Sequence, residues 1–313
     1  METIPAVEAT LTAIVPEAAR QTISEWLYGG TSAPITVLRL LMIWPEPARV
    51  ATLLERVVEH LVTACAATSA PYRRAATMQT LLQEHRAGLD RVSAMLRLEQ
   101  QHQGAWQADP VAGAAALFDA WVQASEEASV ALYSFGDPAL LAVATAEVVQ
   151  LFETWELLGA DRVILQIGCG IGRFEAALAG RGQAAYGIDI SAAMIAVARR
   201  WCAALPTVYL QTCSGRDLGL FSSEKFDLVY VVDTFPYLHM AGADLVLRHF
   251  QEVHRVLKPR GSFVILNYSY RGAPDLDRLE VEQLARQHHF EVLENGARPF
   301  HVWDGLAWWL RRP

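Results

Sequence analysis

The 313 residues (34.6 kDa) carry a formal net charge of −8 and a pI near 5.6, with 52% hydrophobic and 19% charged residues. That composition excludes a disordered chain and is enough for one large or two ordinary domains. Lys225 and Lys258 are the only lysines, and an acidic chain of this kind has no general grip on a phosphate backbone, so nucleic acid is not an expected partner.

The N-terminal METIPAVEAT is acidic and lacks the charged-then-apolar order of a signal peptide. The longest apolar run, 37–44, is interrupted by Arg39 and falls short of the roughly 20 residues that a bilayer span needs. No membrane association is expected. Cys65, Cys169, Cys202 and Cys213 form no CxxC pair and no metal-ligand spacing. The expectation is four reduced thiols, no metal, and a cytoplasmic location.

The first half reads as successive helices. Residues 46–65 place Val50, Leu53, Leu54, Val57, Val58, Leu61 and Val62 on one stripe at helical spacing, with Pro45 and Pro47 at its start. Residues 75–98 repeat the pattern through Leu81, Leu82, Leu89, Val92, Met95 and Leu96. The polar stretch 99–110 has no stripe and reads as a linker. Helices over 111–132 and 139–158 follow, separated by the turn 134–138 (SFGDP). The expected division is an all-α domain over 1–108, with a lid, substrate or dimerisation role, and a second domain over 109–313 whose sheet starts near 161. Trp26, Trp44, Trp106 and Trp121 are candidates to enter a substrate pocket, although most tryptophans pack in cores.

From Asp161 short apolar runs alternate with helical stretches: 163–167, 184–188, 207–211, 226–232 and 262–267. This is the pattern of a parallel sheet covered on both faces. Runs 289–293 and 301–310 lie too close for a crossover helix and should pair antiparallel. The expected class is α/β, with six parallel strands and one antiparallel strand behind a helical N-terminal domain.

The sharpest motif is Gly168-Cys-Gly170-Ile-Gly172-Arg173, between a strand and a helix. Glycine is needed where the backbone turns tightly and a ligand approaches closer than a Cβ permits. A nicotinamide or flavin dinucleotide fingerprint wants a further glycine where Arg173 stands, so that reading fails. The next strand ends in Asp189, a carboxylate placed to accept the two hydroxyls of a ribose bound over the glycine loop. Ser191 is a helix N-cap.

With ILQIGCGIGRF, YGIDIS, SGRDL, FDLVYVVDTFPYLH and HRVLKPRGSFVI in order, the second half resembles the class I S-adenosylmethionine-dependent methyltransferase family. The resemblance implies a Rossmann-like seven-stranded sheet with its last strand antiparallel, and S-adenosylmethionine as cofactor with S-adenosylhomocysteine as product. It implies that Gly168, Gly170 and Gly172 lie under the methionine part and that Asp189 holds the ribose. Ile190 and Met194 would line the adenine pocket, Gly215, Arg216 and Asp217 would read the adenine edge, and Asp233 and Thr234 would stand beside the sulfonium. Gln166 occupies a position where relatives often carry an acid, and Ser214 one where many carry aspartate.

An acceptor should approach from the carboxyl ends of strands four and five. His239 is the candidate general base, with Tyr237 beside it. Tyr133 in a lid, Phe235, Tyr268, Tyr270 and Arg271 are candidate substrate contacts. The DTFPY run has the wrong proline spacing for the D-P-P-Y motif of amino- and amide-directed methyltransferases. The expected function is methyl transfer to oxygen or nitrogen of a small molecule, with a possible homodimer through the helical domain. The alternatives are a non-methylating cyclase or decarboxylase that uses the same cofactor, and a protein methyltransferase.

Overall fold

The computed structural model describes Leu11 and residues 14–313, so the METIPAVEAT stretch lies outside the described residues. The chain forms two compact units. One comprises the chain up to 101 together with 127–141 and 301–304; the other comprises 102–126, 142–300 and 305–313. This division differs from a single cut at 108.

The elements run α1 (Glu17–Leu27), α2 (Ala33–Ile43), α3 (Pro47–Ala64), α4 (Ala70–Glu84), α5 (Arg86–Ala108), α6 (Pro110–Ala124), α7 (Glu126–Val130), a 3₁₀ turn (Leu132–Ser134) and α8 (Pro138–Thr154). Ser32 and Ser69 cap α2 and α4, their hydroxyls accepting from Ile35 N and Tyr72 N, with proline in each first turn. The stripe on α3 is buried except for Val62, which is 37% exposed. The helix expected over 75–98 breaks at His85 into α4 and α5. The expected linker 99–110 is helical to Ala108; it lacks an apolar stripe because most of its described side chains face solvent.

Within the helical unit, Gly88 of α5 leaves room for Phe135, whose Cβ would lie 2.5 Å from a Cβ added there, and Arg91 donates to the Phe135 carbonyl at 2.7 Å. Tyr133, Ser134 and Phe135 are therefore buried at 5%, 0% and 1% exposure. The turn expected to form a lid is thus buried, with Tyr133 in it.

The sheet of the second unit holds β1 (Val163–Ile167), β2 (Ala184–Asp189), β3 (Val208–Thr212), β4 (Phe226–Val232), β5 (Leu257–Leu266), β6 (Glu291–Ala297) and β7 (Ala307–Arg311), in the order β3-β2-β1-β4-β5-β7-β6. β1 to β5 pair parallel, and β7 runs antiparallel to both β5 and β6. The strand order reverses between β1 and β4, the crevice where ligands of open α/β sheets bind. The intervening helices are α9 (Arg173–Leu178), α10 (Ala192–Trp201), α11 (Phe235–Ala241), α12 (Ala243–Val256) and α13 (Pro274–Gln287). α12 buries Val246, Phe250, Val253 and Val256 against Phe263 and Ile265 of β5. The segment 257–261 opens β5, with Arg260 at φ 64° and Gly261 O accepting from Arg312 N.

β7 closes the sheet through two tryptophans with different environments. Trp308 is fully buried against Tyr268 and donates to Asn295 Oδ1 at 2.9 Å. Trp309 stacks on Trp155 and stays partly exposed. Replacing Trp308 with alanine is expected to cost about 3–5 kcal/mol in urea denaturation, and the same change at Trp309 less than half of that.

Candidate functional site

Gly168, Gly170 and Gly172 all adopt positive φ (75°, 54° and 77°), a region that other L-residues reach only under strain. Two of them also have no room for a side chain. A Cβ on Gly168 would lie 2.2 Å from Thr234 Oγ1, and one on Gly172 would lie 3.0 Å from Ala198 Cβ and 3.2 Å from Cys202 Sγ. Thr234 donates its hydroxyl to the Ile167 carbonyl at 2.9 Å, tying the end of β4 to the end of β1 under the loop. The loop begins with Gly168 N and Cys169 N both donating to Ile188 O, at 2.8 and 3.0 Å.

Asp189 at the tip of β2 is 8% exposed and holds the loop from the other side. Its Oδ2 accepts from Gly170 N at 2.8 Å and its Oδ1 from Ser191 N at 2.9 Å. Burial pushes the carboxyl above its usual range, while the N–H groups of Ser191, Gly170 and Ile190 favour the charged form. Each carboxylate oxygen has a second lone pair, so the group can accept from a diol as well. Ser191 caps α10, accepting from Met194 N at 3.0 Å, and gives its own proton to Asp119 of α6. Asp119 also accepts from Ala193 N at 3.1 Å. Asp119 is invisible to sequence reasoning, because nothing local marks a helix-face aspartate that caps a helix far along the chain.

The adenine-side residues are partly assembled. A Cβ on Gly215 (φ 70°) would lie 2.4 Å from Ile190 Cγ2 and 3.0 Å from Val111 Cγ1, so this loop packs directly on Ile190. Met194 is buried at 1% exposure. Arg216 is exposed and pairs with Asp109 at 2.7 Å, and Asp217 accepts from Gly219 N in its own turn. Both side chains are thus turned to local partners.

At the carboxyl ends of β4 and β5, Asp233 and Asn267 are both left-handed, with φ 55° and 67°. Asn267 Nδ2 donates to Asp233 Oδ1 at 2.7 Å, and the Tyr270 hydroxyl donates to the same oxygen at 3.2 Å. Two strained non-glycine residues joined by their side chains mark a place where geometry is held against local preference. Tyr237 stands beside them, its ring centroid 5.8 Å from Tyr270, 5.0 Å from Phe118 and 5.9 Å from Trp106. Trp106 thus joins the site, whereas Trp26 and Trp121 are buried at 1% and 3% exposure.

Three residues expected as substrate contacts are engaged by the fold itself. Phe235 and Tyr268 are fully buried; Phe235 packs on Phe250 and Phe263, and Tyr268 donates to Glu280 Oε1 at 3.0 Å. Arg271 pairs with Asp277 and Glu280, both at 2.6 Å. His239 belongs to the same cluster, its Nε2 3.6 Å from Glu280 Oε1 and 3.4 Å from Arg271 Nη1. Its imidazole is directed to α13.

The chain's residues fit S-adenosylmethionine. A Cβ-free cradle follows β1, a buried carboxylate crowns β2, and an aromatic-walled carboxylate stands at β4. Among the described residues no cluster of His, Cys, Asp or Glu could hold a metal, and no helix is long and apolar enough to cross a membrane. A cleft of about 570 Å³ opens beside β3, lined by Tyr209, Arg199 and Lys225, and contains none of the residues expected to bind cofactor.

Gly168→Ala is expected to destabilise the protein by about 1–3 kcal/mol through strain and overlap. Adding Thr234→Ala should return about 0.5–1 kcal/mol of that loss in a double-mutant denaturation cycle, since the colliding hydroxyl is then absent.

Residues 165–265 match the model of a methyltransferase domain family. No curated protein is significantly similar to the chain. Among solved structures, the chain is similar to the YcgJ protein of Bacillus subtilis (21% identity, 48% of this chain and 70% of that one, TM-score 0.40). It is also similar to a SAM-dependent methyltransferase of Aquifex aeolicus (18%, 56% and 94%, 0.43) and to the [4+2]-cyclase SpnF (18%, 54% and 81%, 0.43). The family match runs from β1 to the end of β5, so residues 165–265 carry the sequence pattern of a methyltransferase domain, on a sheet of the order β3-β2-β1-β4-β5-β7-β6.

Proposed function

We propose that the chain transfers a methyl group from S-adenosylmethionine to oxygen or nitrogen of a small-molecule acceptor. One observation carries the reading: the positive-φ glycine loop is hydrogen-bonded through Gly170 N to Asp189, and the strained Asp233 stands at the neighbouring end of β4. Bound S-adenosylmethionine supplies a methyl group activated by sulfonium charge. The loop backbone would accommodate the methionine portion without side-chain interference, and Asp189 would accept from both ribose hydroxyls. Ile190, Met194 and Gly215 would form the apolar adenine wall.

On the acceptor side, the half-buried Tyr237, Trp106 and Phe118 and the exposed Tyr270 would offer ring faces to a planar or cationic group. Asp233, fixed by Asn267 and Tyr270, is placed to hold the proton of an acceptor hydroxyl or ammonium as its heteroatom is aligned. This moves the general-base role from His239 to Asp233. As the acceptor atom takes up the methyl group that the sulfonium would supply, Asp233 would take the acceptor's proton and release it to solvent.

Calorimetry with S-adenosylhomocysteine tests the cofactor half. Asp189→Ala and Gly170→Val should each weaken binding by about a hundredfold or more; micromolar binding retained by both variants would overturn the site. Turnover, read as S-adenosylhomocysteine formed by mass spectrometry across a panel of phenols and amines, tests the acceptor half. Asp233→Asn should lower it by about 10²-fold, and His239→Ala by less than about threefold. The opposite ranking returns the base role to His239, and a bound cofactor that stays intact while an acceptor is consumed would indicate a non-methylating enzyme.

A further inference from the structure

Behind the glycine loop lies a polar group that the proposed reaction does not use. Gln166 of β1, Gly187 of β2 and Tyr230 of β4 stand in register across three adjacent strands. Glu175 of α9 comes down onto this row at 1% exposure. Gly187 provides the space, since a Cβ there would lie 2.8 Å from Glu175 Oε1.

One terminal atom of the Gln166 amide is 3.0 Å from Glu175 Oε1, 3.3 Å from Glu175 Oε2 and 3.0 Å from the Tyr230 hydroxyl. The other terminal atom is 3.3 Å from the Gly168 carbonyl oxygen. Which atom is nitrogen depends on a single proton. If Glu175 is ionised, the amide nitrogen must face the carboxylate, and the amide oxygen then opposes the Gly168 carbonyl. If Glu175 is protonated, the amide oxygen accepts from both Glu175 and Tyr230, and Nε2 is free to donate to Gly168 O.

We propose that Glu175 is a positioning residue for the glycine loop: protonated, it turns the Gln166 amide to bind the Gly168 carbonyl, and ionised, it turns the amide away. The inference rests on the reading of that loop as the cofactor cradle. Burial pushes the Glu175 carboxyl up to about 8, helped by Asp189 and opposed by Arg173 and by a backbone N–H of its own helix. The protonated form thus holds at neutral pH and is lost as pH rises through about 8. The other titratable groups facing it are Cys169 from the loop, Tyr230 from β4 and Cys202 from α10. Burial raises all three, the last to about 11, so they keep their protons through this window.

The test needs no acceptor and begins without cofactor. The ¹⁵N amide resonances of Gly168 and Cys169 are followed from about pH 6 to about pH 9.5. One transition is expected in the wild type, none in Glu175→Gln, whose amide donates to Gln166 at every pH, and none in Gln166→Met, which removes the relay. S-adenosylhomocysteine affinity, by calorimetry, should fall by about tenfold over the same range in the wild type and by less than about twofold in Glu175→Gln. Loop resonances that do not titrate in the wild type overturn the proposal, whether or not either variant folds, as does an equal transition in Glu175→Gln. Titrating resonances with no ligand binding at any pH would instead sink the cofactor reading and leave the amide switch standing.

Discussion

The hydrogen bond from Gly170 N–H to Asp189 Oδ2 is the constraint on which the site depends. It requires that the loop after β1 turn back toward β2 within three residues, and this is why Gly168, Gly170 and Gly172 sit at positive φ. It also requires a buried carboxylate at the end of β2, whose desolvation is offset by N–H groups from both the loop and the start of α10. Ser191 completes the joint by capping α10 while bonded to Asp119. Loop, strand end and helix start are thereby one hydrogen-bonded unit, and displacing any member leaves another buried polar group unsatisfied.

The carboxyl ends of β4 and β5 follow a different logic. Asp233 and Asn267 end neighbouring parallel strands in the same left-handed conformation, and the side chain of one satisfies the other. Their backbones are also engaged, Asp233 N donating to Leu266 O and Asn267 N to Leu306 O. The strand ladder thus continues one residue past its regular end, and the strain of two turned residues is met by these bonds. The result is a carboxylate whose direction is fixed by the fold.

The sheet was legible in the sequence because parallel strands buried on both faces read as unbroken apolar runs, and the short gap before the last run left only antiparallel pairing. The glycines and Asp189 were legible because local backbone geometry dictates them. What escaped was set by distant packing. Phe235 and Tyr268 look like site aromatics from their position after β4 and β5, but both are buried in the apolar core, Phe235 on Phe250 and Phe263 and Tyr268 against Phe235 and Trp308. Arg271 and His239 were read as free functional groups because their partners, Asp277 and Glu280, lie on α13, separated from His239 by strand β5. Trp106 and Phe118 lie on α5 and α6, far in sequence from Tyr237, and no period or motif announces that they meet it. The stretch 99–110 looked like a linker for a related reason: polarity reported solvent exposure, and exposure does not exclude helix.

Gln166 shows how a local departure gains its meaning from the fold. In the sequence it is a neutral residue where a charge is common in relatives. In the structure it faces Glu175, an acid nine residues later in a segment that reads simply as an apolar short helix. Asp189 and Glu175 then flank one loop as two buried carboxyls in unlike environments. The first receives three backbone N–H groups, which favour its charge. Glu175 is governed by desolvation, which favours its neutral form. An ionised Glu175 beside Asp189 would place two like charges in one dry pocket, so an amide at Gln166, able to present either an acceptor or a donor, is the residue type that accommodates both states of its neighbour.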